Sequence, residues 1–159
     1  MAGQPDDSDR IAMRDSAGDR LGLIARSFVQ CAGRALVEAR TGALELAMWT
    51  APQAIVAHGT EAKPRFFYGN RVALALFEMR AAEFIGLPSE RSAEAAARSA
   101  RAQMLAALAR TGIVEGYSGV RVAASGRRFT ILDATVWDLR SGGERHGQAA
   151  TFATWCLLD

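Results

Sequence analysis

At Gly112 the chain changes its period, and this limits the fold more than any other feature. Before that point, apolar residues recur mostly at helical spacing. After it come three β-rich runs, Val114–Ala124, Arg128–Leu139 and Gln148–Leu158. Ala124-Ser125-Gly126 and Ser141-Gly142-Gly143 separate them with turn residues. Two short strands, Ala54–His58 and Arg65–Tyr68, lie upstream with a turn over Gly59–Pro64. The helices expected around them are Arg20–Arg40, Arg71–Met79 and one from Ser89 or Ser92 to Arg110, with a break at Met48, Trp49 and Pro52. Ala93, Ala97, Ala100, Met104 and Leu108 would share one face of the last. Two early strands, helices and a three-stranded meander predict an α+β domain, an antiparallel sheet with helices on one face and an extra N-terminal helix.

Residues 1–19 are polar and aperiodic and are expected to be a mobile tail, leaving 20–159 as one domain. The N-terminus has neither the basic start nor the apolar centre of a secretory signal. No run of roughly 18 apolar residues is present, so no membrane span is expected. With 19 basic and 17 acidic residues the net charge is +2, too balanced to suggest nucleic acid or an acidic membrane. Cys31 and Cys156 are far apart and outside any metal-ligand spacing, so free thiols in a cytoplasmic protein are expected, without a metal. Nucleophile-elbow and phosphate-loop signatures are missing. The GXXG string at Gly116–Gly119 starts a strand and does not join two helices, so it does not predict a nucleic-acid clamp.

The order of elements is similar to that of a PAS domain, with Phe67-Tyr68-Gly69-Asn70 closing the strand pair ahead of an apolar helix and Phe84-Ile85-Gly86-Leu87-Pro88. Further blocks sharpen the likeness: Ala57-His58-Gly59-Thr60, Leu87-Pro88-Ser89, Gly116–Arg121, Ser125–Phe129, Ala134–Trp137 and His146–Phe152. Together they resemble the stand-alone bacterial MEKHLA proteins over about Leu21–Leu158. The resemblance implies a PAS-like fold and a sensory or regulatory role, with any ligand held between sheet and helices. It supplies no settled ligand and no catalytic residue.

Strict alternation along Phe129–Leu139 puts Phe129, Ile131, Asp133, Thr135 and Trp137 on one face. Asp133 on that aromatic face needs a partner, and Arg121 is the expected one. Gln148 and His58 are candidate polar ligand contacts, and Tyr68 and Trp137 candidate stacking surfaces. Thr135 joins them by position, and Asn70 is a helix cap first and a ligand contact second. The cofactor stays unidentified: non-covalent flavin is compatible, whereas haem on a helix histidine and a cysteine–flavin adduct are not expected. His58 and His146 lie outside Arg71–Arg110, and neither cysteine lies in the helical half of the core.

The reading is a small-molecule sensor that signals through a protein partner, because no output domain follows the last strand. A pocketless interaction module is the alternative. A less favoured one is a small isomerase or lyase with Asp133 as base and His58 or Tyr68 as polariser. Leu21, Ile24, Phe28, Cys31 and Ala35 form an apolar stripe on the N-terminal helix. That stripe is expected either to fold back on its own sheet or to meet a second copy, with a homodimer preferred.

Overall fold

A computed structural model describes residues 3–93 and 98–158. Its sheet is antiparallel and six-stranded, with the order β2-β1-β5-β4-β3 and β6 added beside β4. The strands are β1 (Ala54–His58), β2 (Phe66–Gly69), β3 (Ile113–Val122), β4 (Arg128–Ser141), β5 (Glu144–Phe152) and β6 (Thr154–Leu157). The single run expected at Gln148–Leu158 is therefore two strands. β5 pairs with the second half of β4 and β6 with the first.

One face of the sheet carries α4 (Arg71–Phe77), α5 (Ala81–Phe84), a 3₁₀ turn (Ser89–Ser92) and α6 (Arg98–Thr111). Of the face expected on the last helix, Met104 and Leu108 are buried and Ala100 is exposed, while Ala93 instead bridges to Arg121 of β3. Ala97 lies outside the described residues.

The other face is covered by the N-terminal segment. Residues 1–19, expected to be a tail, contain α1 (Asp7–Ala17). Asp6 caps it; the Ser8 hydroxyl, then the Asp9 N–H, hold the Asp6 carboxyl at about 2. Asp9 is buried, and its carboxylate accepts from Ala81 N at 2.9 Å and Arg80 Nε at 2.8 Å. A residue of the first helix thus caps α5, which no local pattern announces.

The next helix, α2 (Arg20–Ala32), stops before the expected Arg40 because Gly33 takes a left-handed φ of 73° and returns its N–H to Val29 O. A short helix, α3 (Leu44–Thr50), forms where a break was expected. α2 lies across β4. Phe28 meets Trp137 edge to face at 4.7 Å, and Trp137 Nε1 donates to Ile24 O at 3.2 Å. Leu21, Ile24 and Phe28 are buried on the protein's own sheet and Cys31 is partly covered. The stripe therefore follows the fold-back branch, which corrects the preference for a symmetric contact there.

A bulge in β4 decides which side chains face which layer. Gly119 pairs with Ile131 and Tyr117 with Ala134, so Leu132 and Asp133 together oppose Ser118 alone. Asp133 sits at φ 53°, the left-handed region. The extra residue reverses the alternation downstream of it. Ile131, Ala134, Val136 and Asp138 share one face, and Thr135, Trp137 and Leu139 take the other. Thr135 and Trp137 are thus on the α2 side of the sheet, away from the expected ligand space.

Asp133 itself is exposed and does not meet Arg121, which lies three rungs away opposite Phe129. A double-mutant cycle on Asp133 and Arg121 is expected to be additive within about 0.5 kcal/mol by chemical denaturation. Asp133→Gly, which suits the left-handed backbone, is expected to change stability by less than about 1 kcal/mol. A coupling well above that size would restore the pair.

Candidate functional site

The space between the sheet and the α4–α6 layer is a cavity of about 50 Å³, which holds a few waters or a small group. Val56, Phe66, Phe77, Met104, Ile131 and Val136 supply its apolar wall. Polar groups cluster at one end: His58, Ser89, Ser92, Arg101, Arg121 and Gln148. His58 and Gln148 stand opposite each other on β1 and β5. Gly147 makes this possible, because a Cβ there would lie 2.3 Å from the His58 carbonyl oxygen.

His58 and Gln148 are 7% and 6% exposed. His58 Nδ1 is 3.0 Å from the Gly59 carbonyl, which requires the ring proton on Nδ1 and leaves Nε2 an acceptor. Neither that Nε2 nor Gln148 Oε1 has a hydrogen-bond partner among the described residues. Burial pushes the imidazole below its ordinary pKa; the bond to Gly59 opposes this, and the charges of Arg101 and Arg145 add to the lowering. The folded protein therefore holds His58 neutral where the unfolded chain would protonate it. The His58 contribution is complete above the unfolded value of 6.5 and is lost as pH falls from there toward the folded value. NMR titration is expected to place His58 below 6.5, and His58→Gln should flatten the fall in stability across that window. A titration at or above the ordinary value would contradict the buried, neutral assignment.

Arg121 lines the cavity, where it donates to Tyr117 Oη at 3.2 Å and Val120 O at 3.0 Å. Arg101 donates to Ser89 Oγ at 3.0 Å. Just outside, a groove of about 500 Å³ shares His58, Ser89, Arg101 and Gln148 with the cavity. In it Asp138, with a side chain 2% exposed, is held by Arg145 Nε at 2.9 Å and Arg140 Nη2 at 3.3 Å.

The structure thus brings His58, Arg121 and Gln148 of the expected ligand contacts to one cavity. It separates Asp133, Thr135 and Trp137 from them by the bulge. Tyr68 pairs with Ala57 on the opposite face; burial first, and the charge of Glu45 second, raise its phenol pKa. Asn70 is wholly buried, with all four hydrogen-bonding positions used by backbone, so it is a structural hub and not a ligand contact. Sequence reasoning missed Arg101, Ser89 and Asp138. Strict alternation along β4 puts Asp138 on the face opposite Phe129 and Ile131, and Arg101 is not among the apolar positions that mark the buried face of α6.

A flavin does not fit this cavity: its volume is well below that of a three-ring system, and Cys31 and Cys156 are not among its lining residues. Among the described residues no three His, Cys, Asp or Glu side chains cluster to hold a metal ion. No described helix is long and apolar enough to cross a membrane.

The five-strand order, the helices over one face and the cavity beneath them define a PAS-type fold. Solved structures agree. A PAS domain from Colwellia psychrerythraea superposes with a TM-score of 0.58 at 14% identity, covering 67% of this chain and 88% of that one. A light-oxygen-voltage domain studied with a flavin analogue gives 0.59 at 18%, covering 74% and 85%. A variant of Vivid gives 0.58 at 17%, covering 85% and 93%. The MEKHLA domain family matches residues 19–157, and the chain belongs to that family. No curated protein matches the sequence.

Proposed function

We propose that this MEKHLA protein is a non-enzymatic sensor that binds a small molecule in the cavity under α6 and passes its occupancy to a protein partner. One observation carries the reading. Two buried acceptors, His58 Nε2 and Gln148 Oε1, have no hydrogen-bond partner among the described residues at the same cavity. Each such group costs about 1–3 kcal/mol when unsatisfied, a cost that a donor on a ligand removes. The isomerase or lyase alternative loses support because its base, Asp133, is exposed at the bulge and Tyr68 faces the other layer.

The route of the signal follows β4. Val136 lines the cavity, and its neighbour Trp137 bonds α2 from the opposite side of the sheet. A shift of Val136 on occupancy displaces Trp137 and with it the α1–α2 layer, which is the surface offered to a partner.

Native mass spectrometry of the protein as isolated, followed by thermal shift across a metabolite panel, tests the reading. A bound mass or a compound-specific stabilisation that Gln148→Leu abolishes is the expected result. Stabilisation by no compound, together with no bound mass, would leave a pocketless interaction module as the better description.

A further inference from the structure

His58 and Gln148 are direct cross-strand partners on β1 and β5, so their side chains stand side by side on one face of the sheet, with Cβ atoms about 4.5–5.5 Å apart. Both line the cavity, and both are more than nine-tenths buried. The atoms without a hydrogen-bond partner among the described residues, His58 Nε2 and Gln148 Oε1, are both acceptors, since the His58 ring proton is on the Nδ1 that faces Gly59 O. The simplest complement to two adjacent acceptors is one atom that carries two hydrogens. A carboxylate has none to donate. A hydroxyl has one, which leaves the second acceptor unpaired. An ammonium group has enough, but it would enter a cavity that the Arg121 guanidinium already lines. An uncharged NH2 meets both acceptors without that repulsion.

In a primary carboxamide the NH2 is joined through one carbon to a carbonyl. Arg121 donates to Val120 O and Tyr117 Oη, which uses two of its five N–H groups and leaves others for that carbonyl. The apolar wall, with Val56, Phe77, Met104, Ile131 and Val136, suits a methyl or other short alkyl end. Size sets the limit. At about 10–15 Å³ for each water-sized group, a cavity of about 50 Å³ holds about four of them, so no ring enters. A water between His58 and Gln148 supplies the two hydrogens but leaves the apolar wall uncovered, whereas an alkyl amide meets both ends.

We infer that the cavity takes a short-chain primary carboxamide of about four non-hydrogen atoms as the ligand of the sensor reading above, on which this rests. Its NH2 donates to His58 and Gln148, its carbonyl faces Arg121, and its alkyl end lies on the apolar wall.

Acetamide, acetone and acetate have the same number of non-hydrogen atoms in nearly the same shape, and only acetamide carries an NH2. NMR titration of the isotope-labelled full chain is expected to show saturable shifts for acetamide at the backbone amides of His58, Gln148 and Ala149. The dissociation constant should lie between about 0.1 and 10 mM, because a ligand of this size cannot bind much below tens of micromolar. Acetone and acetate should bind about tenfold or more weakly. In Gln148→Met, which keeps the length of the side chain and removes the acceptor, the preference for acetamide over acetone should largely vanish. That variant should keep the wild-type melting temperature, since it deletes an unpaired acceptor, and the wild-type ranking of the three compounds decides the inference even if it does not fold. Acetone or acetate binding as tightly as acetamide overturns the inference. So does the lack of a saturable shift with acetamide up to about 100 mM, the result for a cavity that holds bridging water only. If acetamide fails while another compound stabilises the protein, the ligand class is wrong and the sensor reading stands. If no compound binds and no bound mass is found, both fail.

Discussion

Replacing Asn70 with alanine is expected to lower stability by about 4 kcal/mol or more, on the order of 10 °C in melting temperature. Asn70 Oδ1 accepts from Ile55 N at 3.0 Å and Ala73 N at 3.1 Å; its Nδ2 donates to Met48 O at 3.0 Å and Gln53 O at 2.8 Å. One side chain thus ties the end of α3, the start of β1 and the first turn of α4. Alanine strands two buried donors and two buried acceptors, where water has no access to a side chain that is 0% exposed. Asn70→Asp isolates half of the effect. It keeps the acceptors, removes both donors and points a carboxylate at two carbonyls, so it should be nearly as damaging at neutral pH. Differential scanning calorimetry of the two variants checks this. A loss below about 1 kcal/mol for Asn70→Ala would mean that the four backbone groups find other partners.

Phe28→Asp is expected to destabilise the monomer by about 4 kcal/mol or more, without halving the mass of a dimer. Phe28 is 3% exposed and packs edge to face on Trp137, beneath a helix whose Ile24 carbonyl accepts from the indole. The substitution removes a buried ring and places a carboxylate between α2 and β4. Arg34 lies 5.2 Å above the ring, but its guanidinium already pairs with Glu115 at 3.1 Å, so it offers only partial compensation. Chemical denaturation and light scattering should be run on the same samples. Wild type and variant are expected to show the same mass below the unfolding transition, with the variant's midpoint much lower. An equally stable variant of half the wild-type mass would put Phe28 back in a contact between copies.

The motif Phe67-Tyr68-Gly69-Asn70 shows how far local reading reaches. Asn70 as cap of α4 was legible because the cap bond spans only three residues. Its other three bonds reach 15 to 22 residues back and leave no local signature. Gly69 has a similar hidden partner, since a Cβ there would lie 2.7 Å from the Phe84 ring. His58 and Gln148 were legible as candidates because each is a polar residue at the end of an apolar run. That they face each other across one cavity depended on strand pairing over 90 residues.

The sequence by itself determined the order of β1 to β5 and of α2, α4 and α6 among them, because hydrophobic periodicity and turn residues act over a few positions. It also carried the family resemblance and the apolar stripe of α2. Only the tertiary structure decided which faces those elements present. The period-two rule counts residues, and Asp133 at φ 53° adds one to β4, sending Val136 to the cavity, Asp138 to the groove beside it, and Thr135 and Trp137 to the α2 side. A residue takes up a left-handed conformation inside a strand only when its neighbours hold it there, so no local pattern announces such a bulge. The same holds for α1, whose polar sequence reads as a tail until Arg80 and Ala81, some 70 residues away, bind Asp9 at its first turn.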